Sequence, residues 1–468
     1  MADGKIRATT KPHVAMFPWF AFGHITPYLH LANHLASRGH RVSFLIPKRT
    51  QSKFTKLNRH PHLITFHPIT VPHVDGLPPG AETSYDAPFP LVMFLFTAFD
   101  RTQPQVREIL TELNPSLVLY DLAHWIPSLG LELGFKKVAY VTASAVSSAL
   151  RILPSVKMVK GMTDAELMRP PPGYPSSVVV PRLDEVDQAR FLAEDFGGSA
   201  VPFYERLTAS NSGGDAIAFR TCRELEGQFC DYLGQQYGKP ILLTGPILPD
   251  EDKTPMTAED EKLFSWLGNF DGGSVVYCAF GSEIALGKDQ FQELLNGFEL
   301  CGLPFLAALK PPAGCSTVEE AFPEGFEDKV RGRGWVTGGW VPQQRILDHA
   351  SVGCFVSHCG FGSMWEGLLS KCQLVMAPTL GDQIMGTMLM VNELKVAVEV
   401  EKIKSGDRWW IAKEKLSEAI RAVMDGDGEV GGEVRRNHLK FREVLGEKKV
   451  HDKYVDDFVV QIHDLLDA

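Results

Sequence analysis

Short apolar runs rich in β-branched and aromatic residues alternate with helix-patterned segments along most of this chain. HVAMFPW at 13–19 and RVSFLIP at 41–47 are two such runs, and the segment 27–38 between them carries its apolar residues at helical spacing. Apolar runs of this length are typical of strands that are buried on both faces. Because strands that alternate with helices build parallel sheets, the sequence predicts an α/β fold.

The predicted elements fall into two groups, as a chain of 468 residues requires, because one hydrophobic core rarely serves so many. We assign 1–244 to a first Rossmann-like domain, the Pro- and acid-rich stretch 245–261 to a linker, and 262–435 to a second Rossmann-like domain. The final segment, 436–468, is expected to form a closing helix at about 436–466 that packs back toward the first domain. Within the first domain, 143–215 is predicted to be a loop-rich insertion. Two such domains leave a cleft at the carboxyl ends of their strands.

The remaining predicted strands cover 63–69, 116–121, 136–142, 216–221, 274–280, 304–309, 352–357, 374–378 and 396–400. Further helices are predicted at 288–301 and from about Ser363.

Charge, hydropathy and cysteine usage exclude several functions. The formal net charge is −10, whereas proteins that bind nucleic acids or anionic membranes carry basic surfaces. The most apolar stretch, 91–99, is shorter than the roughly 20 residues of a membrane-spanning helix, and the chain does not begin with a secretory signal pattern. The eight cysteines include no CxxC pair and lie mostly in strand-like runs. We therefore expect reduced thiols, a cytoplasmic protein and no zinc site.

A strand, a glycine-containing turn and a helix follow one another in VGCFVSHCGFGSMWEGLLSK, which begins at Val352. This arrangement aims free backbone N–H groups and the positive end of a helix at an anion. Gly360 and Gly362 permit close approach of a phosphate, to which the Ser363 hydroxyl and the His358 ring can donate. An ordinary tight turn of an α/β fold explains the same residues about equally well. The fingerprint G-x-G-x-x-G is not met, so a nicotinamide enzyme is the weaker alternative.

Five residues around this turn have the chemistry to hold a nucleotide sugar. Trp340 and Gln343 offer a flat aromatic face and an amide to a base, although plain packing explains a tryptophan beside a Gly-Gly pair. Glu366 can hold ribose hydroxyls or be a solvated helix carboxylate. Asp382 and Gln383 can bind sugar hydroxyls or cap a helix.

His24 is a candidate general base, because the unperturbed pKa of histidine lies near neutral. It follows the first strand in FGHITP, at a bend before a helix predicted to start near Pro27. Asp121 ends another strand at the same expected edge, where its carboxylate can accept from the ring and fix the tautomer. The competing interpretations are a loop histidine bonded to backbone and a helix-capping aspartate.

The 44 residues from Trp340 to Gln383 begin W-x-P-Q and end Asp-Gln. This stretch resembles the signature of plant secondary-product UDP-glycosyltransferases, and the resemblance extends over nearly the whole chain. It implies the GT-B fold, with the acceptor in the first of two facing Rossmann-like domains and the UDP-sugar in the second. It also implies an inverting transferase with His24 as the base and Asp121 as its orienting carboxylate.

The resemblance assigns the donor site by matching position. Trp340 would stack on uracil beside Gln343, and Glu366 would hold the ribose. His358, Ser363 and Ser282 would contact the diphosphate, whereas Asp382 and Gln383 would bind the transferred sugar. The complete UDP-sugar site so implied comprises Ser282, Trp340, Val341, Gln343, His358, Gly360, Phe361, Gly362, Ser363, Glu366, Asp382 and Gln383.

The chain departs from the family at Phe361-Gly362, where Trp-Asn is common. The resulting FGS sequence resembles the branch that adds a sugar to the sugar of a flavonoid or other natural-product glycoside. Transfer directly to an aglycone and a catalytically silent UDP-sugar-binding protein are the alternatives, and the donor sugar stays open. The partners expected are a UDP-sugar and a small-molecule glycoside, with the protein acting as a monomer.

No metal or other cofactor is expected, because the glycine turn and helix end can stabilise departing UDP without a cation. One Asp-x-Asp string, Asp425 to Asp427, follows a helix instead of a strand, and a polar turn is predicted there.

Overall fold

The structure is a computed structural model that describes residues 11–87, 90–196, 199–248, 255–281, 284, 286–405 and 408–468. In the first half the strands are β1 (His13–Phe17), β2 (Arg41–Pro47), β3 (Ile64–Ile69), β4 (Leu117–Tyr120), β5 (Lys136–Val141), β6 (Ala216–Phe219) and β7 (Ile241–Leu243). The helices there are α1 (Phe22–Ser37), α2 (Gln51–Phe54), α3 (Phe94–Asp100), α4 (Gln103–Leu113), α5 (Ile126–Leu133), α6 (Ala145–Arg151), α7 (Asp164–Leu167), α8 (Leu183–Ala189), α9 (Phe203–Gly213) and α10 (Arg223–Tyr237).

In the second half the strands are β8 (Val275–Ala279), β9 (Phe305–Ala308), β10 (Gly334–Thr337), β11 (Val352–Ser357), β12 (Gln373–Met376), β13 (Ala397–Glu399), β14 (Ile403–Ser405) and β15 (Arg408–Trp410). The helices are α11 (Ala258–Leu267), α12 (Lys288–Cys301), α13 (Phe326–Lys329), α14 (Gln343–Asp348), α15 (Phe361–Leu369), α16 (Gly381–Met388), α17 (Lys413–Met424), α18 (Glu429–Leu445) and α19 (Lys448–Asp467).

Two parallel sheets organise these elements. The first has the order β3-β2-β1-β4-β5-β6-β7, and the second has the order β10-β9-β8-β11-β12-β13. In each sheet the strand that comes first in the chain is the third from one edge, so the strand order reverses beside it and a crevice opens at the carboxyl ends. The strands β14 and β15 form a separate antiparallel hairpin. The prediction of two Rossmann-like domains with parallel sheets is therefore confirmed.

The helix α1 begins at Phe22, so the prediction of a start near Pro27 was wrong. Pro27 lies inside the helix, in its second turn. A proline there removes one backbone hydrogen bond, because it has no N–H to donate to the carbonyl four residues before it. The correction matters because it moves His24 from a bend into the first turn of α1.

The segment 143–215 contains four helices, α6 to α9, and the loop-rich interpretation was incomplete. These helices span between 4 and 11 residues, which is too short for a helical period to stand out in the sequence. Near α8 the insertion also reaches the second half of the chain. Arg182 donates to Glu399 at 2.7 Å, and Lys402 forms an ion pair with the buried Asp184.

The predicted linker 245–261 overlaps a helix at its C-terminal end. The first sheet ends with β7, a strand that the sequence did not predict, and α11 begins inside the predicted linker. Thr257 and Asp260 start this helix with a reciprocal capping box, in which the Asp260 amide donates to the Thr257 hydroxyl at 3.1 Å. The strand β10 was missed as well.

The C-terminal segment forms two helices, whereas one helix at about 436–466 was predicted. The helix α18 ends before Gly446, and Glu447 has an extended backbone (φ −79°, ψ 122°). Glycine has little preference for helix and commonly ends one. The helix α19 lies on the first sheet, where Val455, Phe458 and Ile462 are buried with residues of β1 and α1.

Residues from both halves share one buried apolar cluster. From the first half it includes Ala145 and Val146 of α6 and Leu225 of α10, and from the second it includes Phe361 and Trp365 of α15. Burial of apolar surface between the halves contributes roughly 25 cal/mol for each Å² removed from water. This cluster therefore fixes the start of α15 against the first domain.

The packing of α19 on the first sheet leads to a stability prediction. Phe458 is fully buried and Val460, on the same helix, is 58% exposed. We expect Phe458→Ala to lower the free energy of unfolding by about 3–5 kcal/mol, because it leaves a cavity against α1 and β1. Val460→Ala is the matched control and should change it by less than about 0.5 kcal/mol. Urea unfolding followed by circular dichroism measures both, and equal effects would contradict the packing of α19.

Candidate active site

His24 and Asp121 meet at the carboxyl edge of the first sheet. The strands β1 and β4 are parallel neighbours, with Phe17 opposite Tyr120, so the residues that follow them lie at the same edge. The Nδ1 atom of His24 forms a hydrogen-bonded ion pair with Oδ2 of Asp121. The Asp121 side chain is buried, whereas that of His24 remains 29% exposed to the cleft.

Thr142 is a third member of this arrangement that the sequence did not single out. Its hydroxyl oxygen lies 3.1 Å from Nδ1 of His24, and the Trp19 amide donates to Oδ2 of Asp121 at 3.4 Å. Because a carboxylate only accepts, Nδ1 of His24 carries the proton and Nε2 of the neutral ring carries the lone pair. Thr142 could have been identified from the sequence, because it follows directly after β5, the strand next to β4, and so lies at the same edge of the sheet.

A cluster of packed aromatic rings lies beside the His24–Asp121 pair. Trp19 stacks on Phe96 with ring centroids 4.3 Å apart, and Phe96 contacts Phe203 at 5.2 Å. Phe96 and Phe99 of α3 are buried, so the apolar run at 90–99 is mainly core. These rings therefore form apolar packing beside a titratable group.

A contact across the cleft lies next to the first turn of α1. Phe22 stacks on Tyr85 with centroids 5.2 Å apart, and Nζ of Lys310, after β9 in the second domain, lies 4.4 Å from the centroid of Tyr85. An exposed cation–π contact contributes about 0.5–1 kcal/mol. The two domains therefore touch beside His24.

The second sheet brings Gln343, Glu366 and Ser363 into one hydrogen-bonded network. The Gln343 amide donates to Glu366 at 2.6 Å and to Ser363 Oγ at 3.3 Å. Its carbonyl accepts from the hydroxyl of Tyr277 at 3.2 Å, a residue of β8 that the sequence did not suggest. The network fixes a carboxylate and a hydroxyl on one face of α15.

The pKa of the Glu366 carboxyl is shifted by its surroundings. Burial raises the pKa, and the Gln343 hydrogen bond and the positive charge of Arg220 oppose that rise. Arg220 belongs to the first domain, where it follows β6, and no pattern in the sequence predicted its position here. The ionised, hydrogen-bond-accepting form of Glu366 thus depends on groups from both domains.

His358 lies in the turn between β11 and α15, with its ring close to Gly281 and Gly360. A Cβ at Gly281 would approach the ring to 2.8 Å and one at Gly360 to 2.5 Å, so both positions require glycine. Burial lowers the pKa of His358 to about 4. Its Nδ1 lies 3.4 Å from the carbonyl of Ala279, which only accepts, so the neutral ring carries its lone pair on Nε2. To donate from Nε2, the ring must gain a proton, which a bound anion favours.

Cys359, next in the turn, has the left-handed φ of 70° that is uncommon for a residue with a side chain.

The remaining residues of the predicted donor site occupy different environments. Trp340 is 83% exposed and Val341 beside it is partly buried. The side-chain carbonyl of Gln383 accepts from the backbone amides of Thr379 and Leu380 at 3.0 and 3.1 Å, so it caps the start of α16. The side-chain amide nitrogen of Gln383 is then the group that can donate to a ligand. Asp382 is exposed in the same first turn.

Two further positions bear on the departures from the family. Phe361 is buried and packs at 6.2 Å against Trp365, so its side chain belongs to the core between the halves, whereas Gly362 is partly exposed. Ser282 lies outside the described residues.

Asp425 accepts from the amides of Asp427 and Gly428, which makes the Asp-x-Asp string a polar turn after α17. Across the described part of the chain, no group of three or more His, Cys, Asp or Glu side chains could hold a metal ion. Among the same residues, no helix is long and apolar enough to cross a membrane.

A histidine–carboxylate pair at the edge of one parallel sheet faces a glycine turn and a carboxylate–amide network at the edge of another. This arrangement defines a GT-B glycosyltransferase. Residues 329–429 match the family described as "UDP-glucoronosyl and UDP-glucosyl transferase". Two relatives from plants are each 48% identical: anthocyanidin 3-O-glucoside 2'''-O-xylosyltransferase of Arabidopsis thaliana, with 97% of both chains covered, and cyanidin 3-O-galactoside 2''-O-xylosyltransferase FGGT1 of Actinidia chinensis var. chinensis, with 97% of this chain and 98% of that one covered.

Among solved structures, UGT73P12 of Glycyrrhiza uralensis superposes with a TM-score of 0.79 at 21% identity, covering 97% of this chain and 96% of that one. The chain belongs to the plant UDP-glycosyltransferase family. It is an enzyme that transfers a sugar from a UDP-sugar to a small-molecule acceptor.

Proposed function

We propose that this enzyme transfers a sugar, with inversion, to a hydroxyl on the sugar of a flavonoid or other natural-product glycoside. The observation that carries the chemistry is the His24–Asp121 pair facing the Gln343–Glu366 network across the cleft. The observation that favours a glycoside acceptor is that two relatives at 48% identity are named as xylosyltransferases of anthocyanidin or cyanidin glycosides.

In the proposed reaction, Nε2 of His24 removes the proton from the acceptor hydroxyl as its oxygen attacks C1 of the donor sugar. The new C1–O bond forms while the bond from C1 to the diphosphate oxygen breaks, and UDP leaves with the electron pair. Asp121 holds the ring by Nδ1 and stabilises the imidazolium that forms. Attack from the face opposite the leaving group inverts the configuration at C1.

The donor site follows from side chains at the edge of the second sheet. Trp340 offers an exposed face for uracil, next to Val341 and Gln343. The Glu366 carboxylate accepts from ribose hydroxyls. Asp382 and the Gln383 amide bind the transferred sugar at the start of α16.

The diphosphate would lie at the start of α15. The free backbone N–H groups there attract an anion, and Gly360 and Gly362 leave the backbone accessible beside Phe361. The Ser363 hydroxyl and a protonated His358 donate to the same phosphates, with Ser282 as a further donor. These groups supply the charge stabilisation that a cation provides elsewhere, so we propose that no metal is needed.

We also propose that the enzyme acts as a cytoplasmic monomer. All eight cysteines are free thiols, which suits a reducing compartment.

The first prediction concerns the base. His24→Ala should lower kcat by about 10²–10⁴-fold, and Asp121→Asn should lower it similarly by releasing the ring from its tautomer. Thr142→Val removes one neutral hydrogen bond and should cost only about 2–10-fold. UDP-sugar affinity should stay near the wild-type value in all three variants, because the donor binds in the other domain. Steady-state kinetics and calorimetry measure both quantities, and a fully active His24→Ala enzyme would remove His24 from the mechanism.

The second prediction concerns metals. Transfer should proceed at an unchanged rate in excess EDTA, because protein groups take the role of a cation. The measurement is UDP release in enzyme that has been dialysed against the chelator. Loss of activity that Mg²⁺ or Mn²⁺ restores would show that the proposal is wrong.

The third prediction concerns the acceptor. With one donor, kcat/KM should be higher for a flavonoid monoglucoside than for its free aglycone, and NMR should locate the new bond on the glucose. Faster transfer to the aglycone itself would favour an aglycone O-glucosyltransferase. Binding of UDP-sugars without transfer to either acceptor would indicate a catalytically silent protein.

A further inference from the structure

Arg220 is a buried cation at the boundary between the two domains. It follows β6 in the first sheet, and its side chain is only slightly exposed. Nε donates to the carbonyl of Pro246 at 2.7 Å and Nη2 donates to that of Ile247 at 2.9 Å. Both acceptors are neutral, and no ion pair of Arg220 occurs within the described residues. The hydrogen bonds of the guanidinium therefore go to neutral carbonyls, which leave its full positive charge unpaired by direct contact.

The third nitrogen of the guanidinium is directed at the second domain. A Cβ added to Gly362 would lie 3.5 Å from Nη1 of Arg220. Gly362 is the second residue of α15, where backbone N–H groups have no partner within the helix. A side chain longer than alanine at this position would compete with the guanidinium for the same space. The glycine thus lets a cation of one domain reach the helix end of the other.

The electrostatics of this contact are incomplete without an anion. The start of a helix carries a partial positive charge, so a guanidinium beside it is repelled. Burial lowers the pKa of Arg220, with Tyr140 and Glu366 opposing that effect. Glu366 lies one turn further along α15 and offsets part of the charge. A dianionic group between Arg220 and the helix end would satisfy both.

We propose that Arg220 binds the diphosphate of the UDP-sugar through Nη1, across the domain boundary and in the space that Gly362 leaves open. The proposal rests on the proposed function of the same site. Arg220 then contributes a full positive charge to the leaving UDP, in addition to the dipoles of α15. Because Arg220 belongs to the acceptor domain, binding of the donor also ties the two domains together.

The test compares UDP with uridine, which lacks the diphosphate. Arg220→Gln should weaken UDP binding on the order of tenfold more than it weakens uridine binding, as expected for loss of a charge-assisted hydrogen bond to the diphosphate. An effect transmitted through Glu366, whose carboxyl pKa Arg220 lowers, would act equally on both ligands, because both carry the ribose. Arg223→Gln is the matched control: Arg223 is exposed, pairs with Asp231 at 2.7 Å, and its loss should affect neither ligand. Calorimetry for UDP and ligand-observed NMR for uridine provide the affinities.

Arg220→Lys covers the case in which the glutamine variant does not fold. It keeps the charge, but its three N–H groups start from a single nitrogen and cannot reach two carbonyls on one side and a phosphate on the other. UDP should therefore bind more weakly than to wild type, while uridine binds equally well. Equal weakening of UDP and uridine would mean that Arg220 is merely structural, and unchanged UDP affinity would overturn the proposal outright. If the wild-type protein bound neither ligand, the proposed function itself would fail.

Discussion

The burial of α15 between the two domains is the interaction on which the site depends. Phe361 and Trp365 pack in the same cluster as Val146 of α6 and Leu225 of α10. This contact holds the start of α15, and with it the glycine turn, in place against the first domain. Since His24 is fixed on the first sheet by Asp121, the apolar interface sets the distance between the base and the donor site. The phenylalanine at position 361, where the family commonly has tryptophan, therefore acts mainly on the packing between the domains and only indirectly on contacts with a ligand.

The same interface allows charges from one domain to act on the other. Arg220 opposes the rise in the pKa of Glu366, and Lys310 lies over Tyr85 at the opposite domain's edge. Lys402 of the second domain also pairs with Asp184 of the insertion in the first domain. The Lys402–Asp184 pair is almost fully removed from water and therefore interacts more strongly than an exposed pair, so it helps to hold a defined orientation of the domains. The insertion at 143–215 therefore contributes to the domain arrangement as well as to the acceptor surface.

Strands were the most predictable elements because each is a short apolar run bounded by turn residues. The range 41–47 was predicted without error, and so was the helix at 288–301. Misses occurred where tertiary contacts override local preference. The helix α1 continues through Pro27 because its apolar face is buried, and β7 has only three residues, which are too few to form a pattern. The helices of 143–215 are likewise stabilised by packing more than by their own sequences.

The sequence by itself determined the fold class, the glycine turn and the pairing of His24 with Asp121, because each depends on local pattern and on the rule that parallel strands end at one edge. Only the tertiary structure decided which side chains reach those positions from elsewhere. Thr142 joins His24 from a neighbouring strand, Phe361 turns into the core, and Arg220 reaches α15 from the other domain. Contacts between residues more than 100 positions apart depend on the packing of whole elements, and no local pattern encodes that packing.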